Sequence, residues 1–249
     1  AELQIFFNPS TIDKHPHFAS VKNEKLLVLL VEDRKKNQVS ERTAAELVKK
    51  GLPEFYVYHL VKIQQFYFNI LSIPRDKFRL YQLDDKEKAF YNKFHFDIEV
   101  DLADHGFTEM GGLHYRTDHD LRGHQDISKQ SMEVIEEKTG ERFIPHVLEI
   151  SLGVDRNVYA LLDLAYDDQK ERGNVVLHLP QAFTHFLCGI FPLVKNKEEV
   201  VLKAEEVAQM LRQQHYPVFY DEVASIGRRY ARADEIGIRY GITIDFETL

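Results

Sequence analysis

Cysteine is almost missing from this chain: Cys188 is the only one in 249 residues. A single cysteine excludes an internal disulfide and a cysteine-rich zinc site, and it fits a reducing compartment. Long apolar runs are missing too. None approaches the roughly 20 residues that a membrane-spanning helix needs, and the longest, residues 26–31, suits a buried strand. No signal-peptide pattern stands at the start, so the expectation is a cytoplasmic protein without a membrane partner. There is no excess of positive charge, since 32 Lys and Arg face 40 Asp and Glu, a net charge of −8. A whole-surface basic footprint for nucleic acid is therefore excluded, while a local basic patch is not. Repeats and low-complexity tracts are absent as well. What is present is 44% apolar residues, enough for a substantial core in one large domain or two modest ones.

Hydrophobic periodicity predicts strands over 3–7, 26–31, 78–83, 94–100, 107–117 and 143–152. It predicts helices over 40–50, capped by Ser40, and over 53–71, 86–92, 118–125 and 153–166. Beyond a polar stretch at 167–174, strands at 175–179, 186–191, 218–220 and 240–246 alternate with helices at 198–214 and 225–235. The reading is α+β followed by α/β: residues 1–172 form a mainly antiparallel sheet with helices, and 173–249 a smaller α/β domain.

Three segments carry chemistry. In EISLGVDR, Glu149 and Ser151 are two apart on a strand and face one side. Gly153 lets the chain turn, and Arg156 falls in the first turn of the next helix. A guanidinium there can hold a triphosphate, and a carboxylate can bind a magnesium ion that bridges phosphates. The same residues also read as an ordinary ion pair beside a core strand. In TEMGGLHYRTDHDLRGHQ, strand alternation puts Glu109, Gly111, Leu113 and Tyr115 on one face. The paired glycines Gly111 and Gly112 mark close approach of a ligand or a second backbone. Arg116 with Asp118 or Asp120 also reads as a structural salt-bridge cluster. His114, His119 and His124 lack the spacing of a zinc helix. In SIGRRYARADEIG, Arg228 and Arg232 are one helical turn apart, with Arg229 and Tyr230 between them. Such a helix either contacts phosphates and bases or is a solvated amphipathic face.

FIPHVLEISLGVDRNVYALL resembles the third signature motif of class II aminoacyl-tRNA synthetases, in the form carried by glycyl-tRNA synthetases. One departure is Ile150, where the family usually has proline. TEMGGLHYRTDHDLRGHQ is similar to that family's substrate strand, and SIGRRYARADEIG to its anticodon-binding domain. Leu83 and Phe90 stand where the family usually has histidines, and Thr184, His185 and Arg239 depart from its anticodon domain. The resemblance implies an incomplete class II antiparallel sheet followed by a C-terminally truncated α/β anticodon-binding domain. It implies a ligase that activates glycine with ATP and Mg2+ and transfers it to tRNA(Gly), the full-length enzyme being a homodimer. Arg156, Glu149 and Arg116 would be catalytic. Glu109, Ser151 and Arg116 would bind glycine. Glu149 and Arg156 would hold ATP, Glu149 meeting the magnesium through it. Arg228, Arg229, Tyr230 and Arg232 would contact the tRNA. The start, AELQIFFNP, resembles the segment just after the second class II motif. The expectation is a back portion without the first two motifs, inactive alone in forming glycyl-adenylate. The rival reading is a non-catalytic nucleic-acid-binding accessory protein on the same fold.

Overall fold

Apolar and polar residues alternate along Phe94–Leu102, and the apolar ones, Phe96, Ile98, Val100 and Leu102, are buried on one side. This is the central pattern of the computed structural model, which describes residues 1–36, 38–137 and 139–249. Packing divides the chain into two units, Ala1–Ala160 and Leu161–Leu249.

The first unit is built on a seven-stranded sheet. In spatial order its strands are β1 (Glu2–Phe7), β9 (His146–Leu152), β6 (Gly106–Thr117), β5 (Phe94–Leu102), β4 (Phe78–Gln82), β2 (Lys25–Leu29) and β3 (Ser40–Thr43). Neighbours run antiparallel except β2 beside β4. Helix α1 (Ala44–Lys49) leads through Gly51 and Pro53 into α2 (Glu54–Asn69). Helix α2 buries Tyr56, Leu60, Ile63 and Tyr67. The Tyr56 hydroxyl donates to the Leu113 carbonyl at 2.7 Å, and the Tyr56 ring meets Phe94 and Phe96. Buried Gln64 clamps β2 by accepting from the Leu27 amide and donating to the Lys25 carbonyl, both at 2.8 Å. One sheet face is thus the core, and the other carries polar residues. Helix α3 (His119–Ser128) follows β6, two-residue strands β7 (Val134–Ile135) and β8 (Arg142–Phe143) pair, and α4 (Val154–Ala165) follows β9.

Three expectations are corrected. Residues 40–43 are a strand paired with β2, not a helix start. The cap is Thr43, whose hydroxyl accepts from the Glu46 amide at 3.2 Å while the Glu46 carboxylate accepts from the Thr43 amide at 2.7 Å. Residues 86–92 form turns rather than a helix, started by Asp84, whose carboxylate accepts from the Lys86 and Glu87 amides. The strand expected over 143–152 is broken before His146 by Pro145, which has no amide to donate.

The second unit opens with a hairpin of β10 (Tyr166–Gln169) and β11 (Asn174–Leu177). The polar stretch that reads as a linker in sequence is this hairpin, and by packing the second unit begins at Leu161. A parallel sheet follows, ordered β13 (Val218–Tyr220), β12 (Cys188–Pro192), β14 (Gly241–Ile244). Cys188 and Ile190 of β12 pack with Val200, Ala204 and Ala208 of α5 (Glu198–Gln213). Phe191 packs with Ala233, Ile226 and Tyr230 of α6 (Ile226–Glu235). Alternating residues of one strand therefore serve two helices. No helix among the described residues is long and apolar enough to cross a membrane.

Candidate functional site

Residues opposite one another on antiparallel strands share a face, so the register spells out the polar side of the sheet in rows. One row is Gln4, Glu149, His114 and His95. The next is Glu2, Ser151, Gly112, Asp97 and Tyr81. Glu149 and Ser151 share this face, as their spacing predicts.

Glu109 reaches it by a different route. Ile98 pairs with Gly111, but Glu99 pairs with Glu109, so Met110 is an extra residue in β6. This bulge flips the alternation. Glu109 leaves the core face of Gly111, Leu113 and Tyr115, where plain alternation had put it, and joins Glu99 on the polar face. The bulge also anchors the start of α4. The Met110 carbonyl accepts from the Gly153 amide at 2.9 Å and from Asn157 Nδ2 at 3.0 Å. Arg156, one residue before Asn157, donates through Nη1 to the Glu109 carbonyl at 2.9 Å and to its carboxylate at 3.2 Å. Ser151, Glu109 and Arg156 line a cavity of about 330 Å³ with Ala1 and Glu2.

The second guanidinium lies elsewhere on the same face. Arg116 donates through Nη1 to Glu149 Oε2 at 2.7 Å and through Nε to Asp120 Oδ2 at 2.9 Å. Gln4 Nε2 donates to the same Glu149 oxygen at 3.0 Å. Glu149 is nearly buried. Partial burial works against the Arg116 charge, yet Glu149 and Asp120 outweigh it and hold its pKa above the ordinary arginine value. Arg116, Gln4 and Asp120 line a separate cavity of about 350 Å³. The structure thus brings Glu109, Arg116, Glu149, Ser151 and Arg156 to one face as two ion pairs. Glu149 and Ser151 join these pairs, about 7 Å apart along one strand.

The glycine pair is explained by both neighbours. A Cβ on Gly111 would overlap the Ser151 carbonyl, so β6 and β9 could not close there. One on Gly112 would lie 2.6 Å from His114 Nε2 and 3.1 Å from His95 Nε2. The His95 and His114 rings are 4.0 Å apart. Burial, with His95 adding to it, lowers the His114 pKa to about 4. Burial also raises the Glu99 carboxyl, against its pairing with Arg79.

Both donors to Glu149 fall on Oε2, which leaves Oε1 for a cation. Among the described residues no group of three or more His, Cys, Asp and Glu is set to hold a metal. A magnesium ion fits here only through one carboxylate plus substrate phosphate oxygens, which suits its chemistry.

In the second unit the four residues singled out in α6 have different surroundings. Arg229 is buried, and its guanidinium donates to the carbonyls of Pro192, Val223 and Ala224. Arg232 pairs with buried Asp221 and donates to the Val223 carbonyl at 2.7 Å. The Tyr230 hydroxyl bonds Thr243 Oγ1 at 2.9 Å, and its ring lies 5.0 Å from Phe191. Arg228 is exposed. Three of the four side chains are therefore spent holding α6 in place, although the Arg232 side chain keeps 38% of its surface exposed, and Arg228 is exposed.

Residues 188–249 match the family described as anticodon binding domain. A glycine–tRNA ligase of Pyrococcus abyssi is 33% identical over 100% of this chain and 56% of its own length. Glycine–tRNA ligases of Malacoplasma penetrans and Clostridium perfringens are 37% and 39% identical over 81% and 72% of the chain, and 43% and 39% of theirs. The whole chain matches the C-terminal portion of a glycyl-tRNA synthetase. It spans about half the length of the Pyrococcus relative. Two of the synthetase-like segments, those containing Glu109 and Glu149, carry the two ion pairs, and the third is α6 of the second unit. Gln4 and Asn157, which complete those pairs, were not singled out from sequence. Asn157 stands in the motif itself, directly after Arg156, and only the bulge carbonyl reveals its use.

Proposed function

We propose that this chain carries the back portion of the catalytic domain, and the anticodon-binding domain, of a class II glycine–tRNA ligase. The observation that carries the reading is the Met110 bulge. It turns Glu109 onto the face of Glu149 and Ser151 and ties it to Arg156. Glycine presents only an ammonium and a carboxylate to a pocket. In this reading Glu109 takes the ammonium, Ser151 contacts the amino acid, and Arg116 lies near its carboxylate. Arg156 holds ATP. Gly112 leaves no wall residue to shift, and the His95 and His114 rings beside it leave little room for a substrate side chain.

Activation needs no side-chain nucleophile. A glycine carboxylate oxygen attacks the α-phosphorus of ATP, the bond to the β-phosphate oxygen breaks, and pyrophosphate leaves. A terminal ribose hydroxyl of tRNA then attacks the acyl carbon and AMP leaves. The protein's part is to align the partners and neutralise charge. Bound magnesium, met by Glu149, would offset phosphate charge. Partners in this reading are tRNA(Gly), glycine and ATP, with a homodimer for the full-length enzyme.

The test is thermal denaturation with a non-hydrolysable glycyl-adenylate analogue. Binding raises Tm by the logarithm of ligand over Kd. A rise with the glycyl analogue, smaller with the alanyl one and lost in Glu109→Gln, is expected. Equal shifts with both, or none, would overturn the glycine assignment.

A further inference from the structure

The hydrogen bonds that hold the Met110 bulge do not end at Asn157. Asn157 Nδ2 donates to the Met110 carbonyl at 3.0 Å and to the Gly153 carbonyl at 2.8 Å. Its Oδ1 accepts from the Tyr67 hydroxyl at 2.7 Å. Tyr67 stands 90 residues earlier, on α2, in none of the segments that carry chemistry. It is completely buried, its ring 5.3 Å from Phe78 at 43° and 5.8 Å from Phe66 at 84°. Burial holds its phenol pKa above the ordinary value, so the hydroxyl keeps its proton and donates. For packing alone a phenyl ring would serve.

The hydroxyl has a more particular task. A carboxamide has one donating end and one accepting end. The Met110 and Gly153 carbonyls face the donating end of Asn157, so Oδ1 points the other way, where Tyr67 meets it. Without that donor the partly buried Oδ1 must turn towards water, which draws Nδ2 off the bulge. The Met110 carbonyl is then left with the Gly153 amide at 2.9 Å. Glu109 precedes the bulge residue and takes both Arg156 contacts, to its carbonyl and to its carboxylate. Glu109, Met110, Gly153 and Arg156 line one cavity, so a displaced Met110 carbonyl moves both members of the pair.

We propose that Tyr67 is a positioning residue for this pocket. Acting through Asn157, its hydroxyl holds the Met110 bulge in the shape that turns Glu109 towards Arg156. The consequence for ligand binding rests on the reading of the pocket as a glycyl-adenylate site; the consequence for the bulge does not.

Tyr67→Phe removes one oxygen and keeps the buried ring, and melting curves check that each variant is folded. The chain has three methionines, so 13C-methyl methionine labelling gives three signals, with Met110 identified by its loss in Met110→Leu. Tyr67→Phe should shift or split the Met110 signal and leave those of Met132 and Met210 in place. It should also weaken the glycyl-adenylate analogue, measured by calorimetry, about three- to tenfold. Asn157→Leu should do at least as much, and adding Tyr67→Phe to it should change neither readout further, because one residue works through the other. Asn157→Ala replaces Asn157→Leu if the leucine variant does not fold. Thr43→Ala, which destabilises the unit elsewhere, should leave both readouts as they were. An unchanged Met110 signal in Tyr67→Phe, or effects of the two substitutions that add in full, would overturn the proposal. Failure of the unaltered chain to bind the analogue would sink the adenylate reading instead, and the Met110 signals would still decide the role of Tyr67.

Discussion

Glu149 is a carboxylate with little water around it, held by an arginine on the strand to one side and a glutamine on the strand to the other. Cutting one partner leaves the other charge poorly solvated, and that penalty exceeds the net worth of the pair. Arg116→Ala should therefore cost about 2–3 kcal/mol, measured by urea unfolding at neutral pH. Replacing both Arg116 and Glu149 by similar-sized apolar residues should cost less than the single change. His114 makes a separate claim. Its folded pKa is about 4 against an ordinary 6.5, because burial and His95 disfavour the charged ring. A base whose pKa falls on folding contributes stability that is complete above the unfolded value and is lost as pH drops from about 6.5 towards 4. Allowing for solvent screening, the loss should be about 2 kcal/mol. Burial lowers His59, His15 and His146 in the same sense. The unfolding midpoint of His114→Gln should depend less steeply on pH across that window. An unchanged slope would remove His114 from the account.

At the scale of elements, the site depends on how two strands close and how one of them slips. Gly111 lets the backbone of β6 come against the Ser151 carbonyl, and Gly111→Ala forces backbone apart rather than a side chain aside. A loss of about 2–3 kcal/mol, together with loss of any adenylate-analogue binding, is expected. Gly112→Ala presses on two histidine ring nitrogens instead, so its effect on stability should be the smaller of the two. Thr43→Ala removes a helix cap far from the site and should cost about 1 kcal/mol while leaving ligand binding as it was. The comparison in one urea series separates strain at the site from ordinary destabilisation. At the other end of β6, where its pairing with β9 shifts between Tyr115 and Thr117, Thr117 sits at φ +59°, a conformation β-branched residues rarely adopt. Its hydroxyl donates to the Arg116 carbonyl at 2.6 Å. The end of β6 is thus held in a strained shape just where Arg116 turns towards Glu149.

For the molecule as a whole, a net charge of −8 means that the proposed tRNA would have to be met by a local patch. Within α6 Arg228 is exposed, whereas Arg229, Tyr230 and Arg232 are held by partners inside the unit. Arg228→Ala should leave stability within about 0.5 kcal/mol and reduce the salt dependence of tRNA binding by about one ion. Arg229→Ala should unfold the second unit more readily by about 3 kcal/mol, because it empties a buried site and strands the buried Pro192 carbonyl and two partly buried ones; its tRNA defect would follow from that loss. A salt slope unchanged by Arg228→Ala would remove that residue from the interface. The sequence by itself determined the strands and helices with strong periodicity, the shared face of Glu149 and Ser151, and the identity of the charged residues, since side-chain alternation and capping are local. The tertiary structure alone decided that Glu109 faces the site, that Arg116 and Arg156 serve separate pairs, and that Arg229 is internal. The physical reason is that a bulge, a cross-strand partner and a buried carbonyl are set by neighbours far away in the chain, and no local spacing records them.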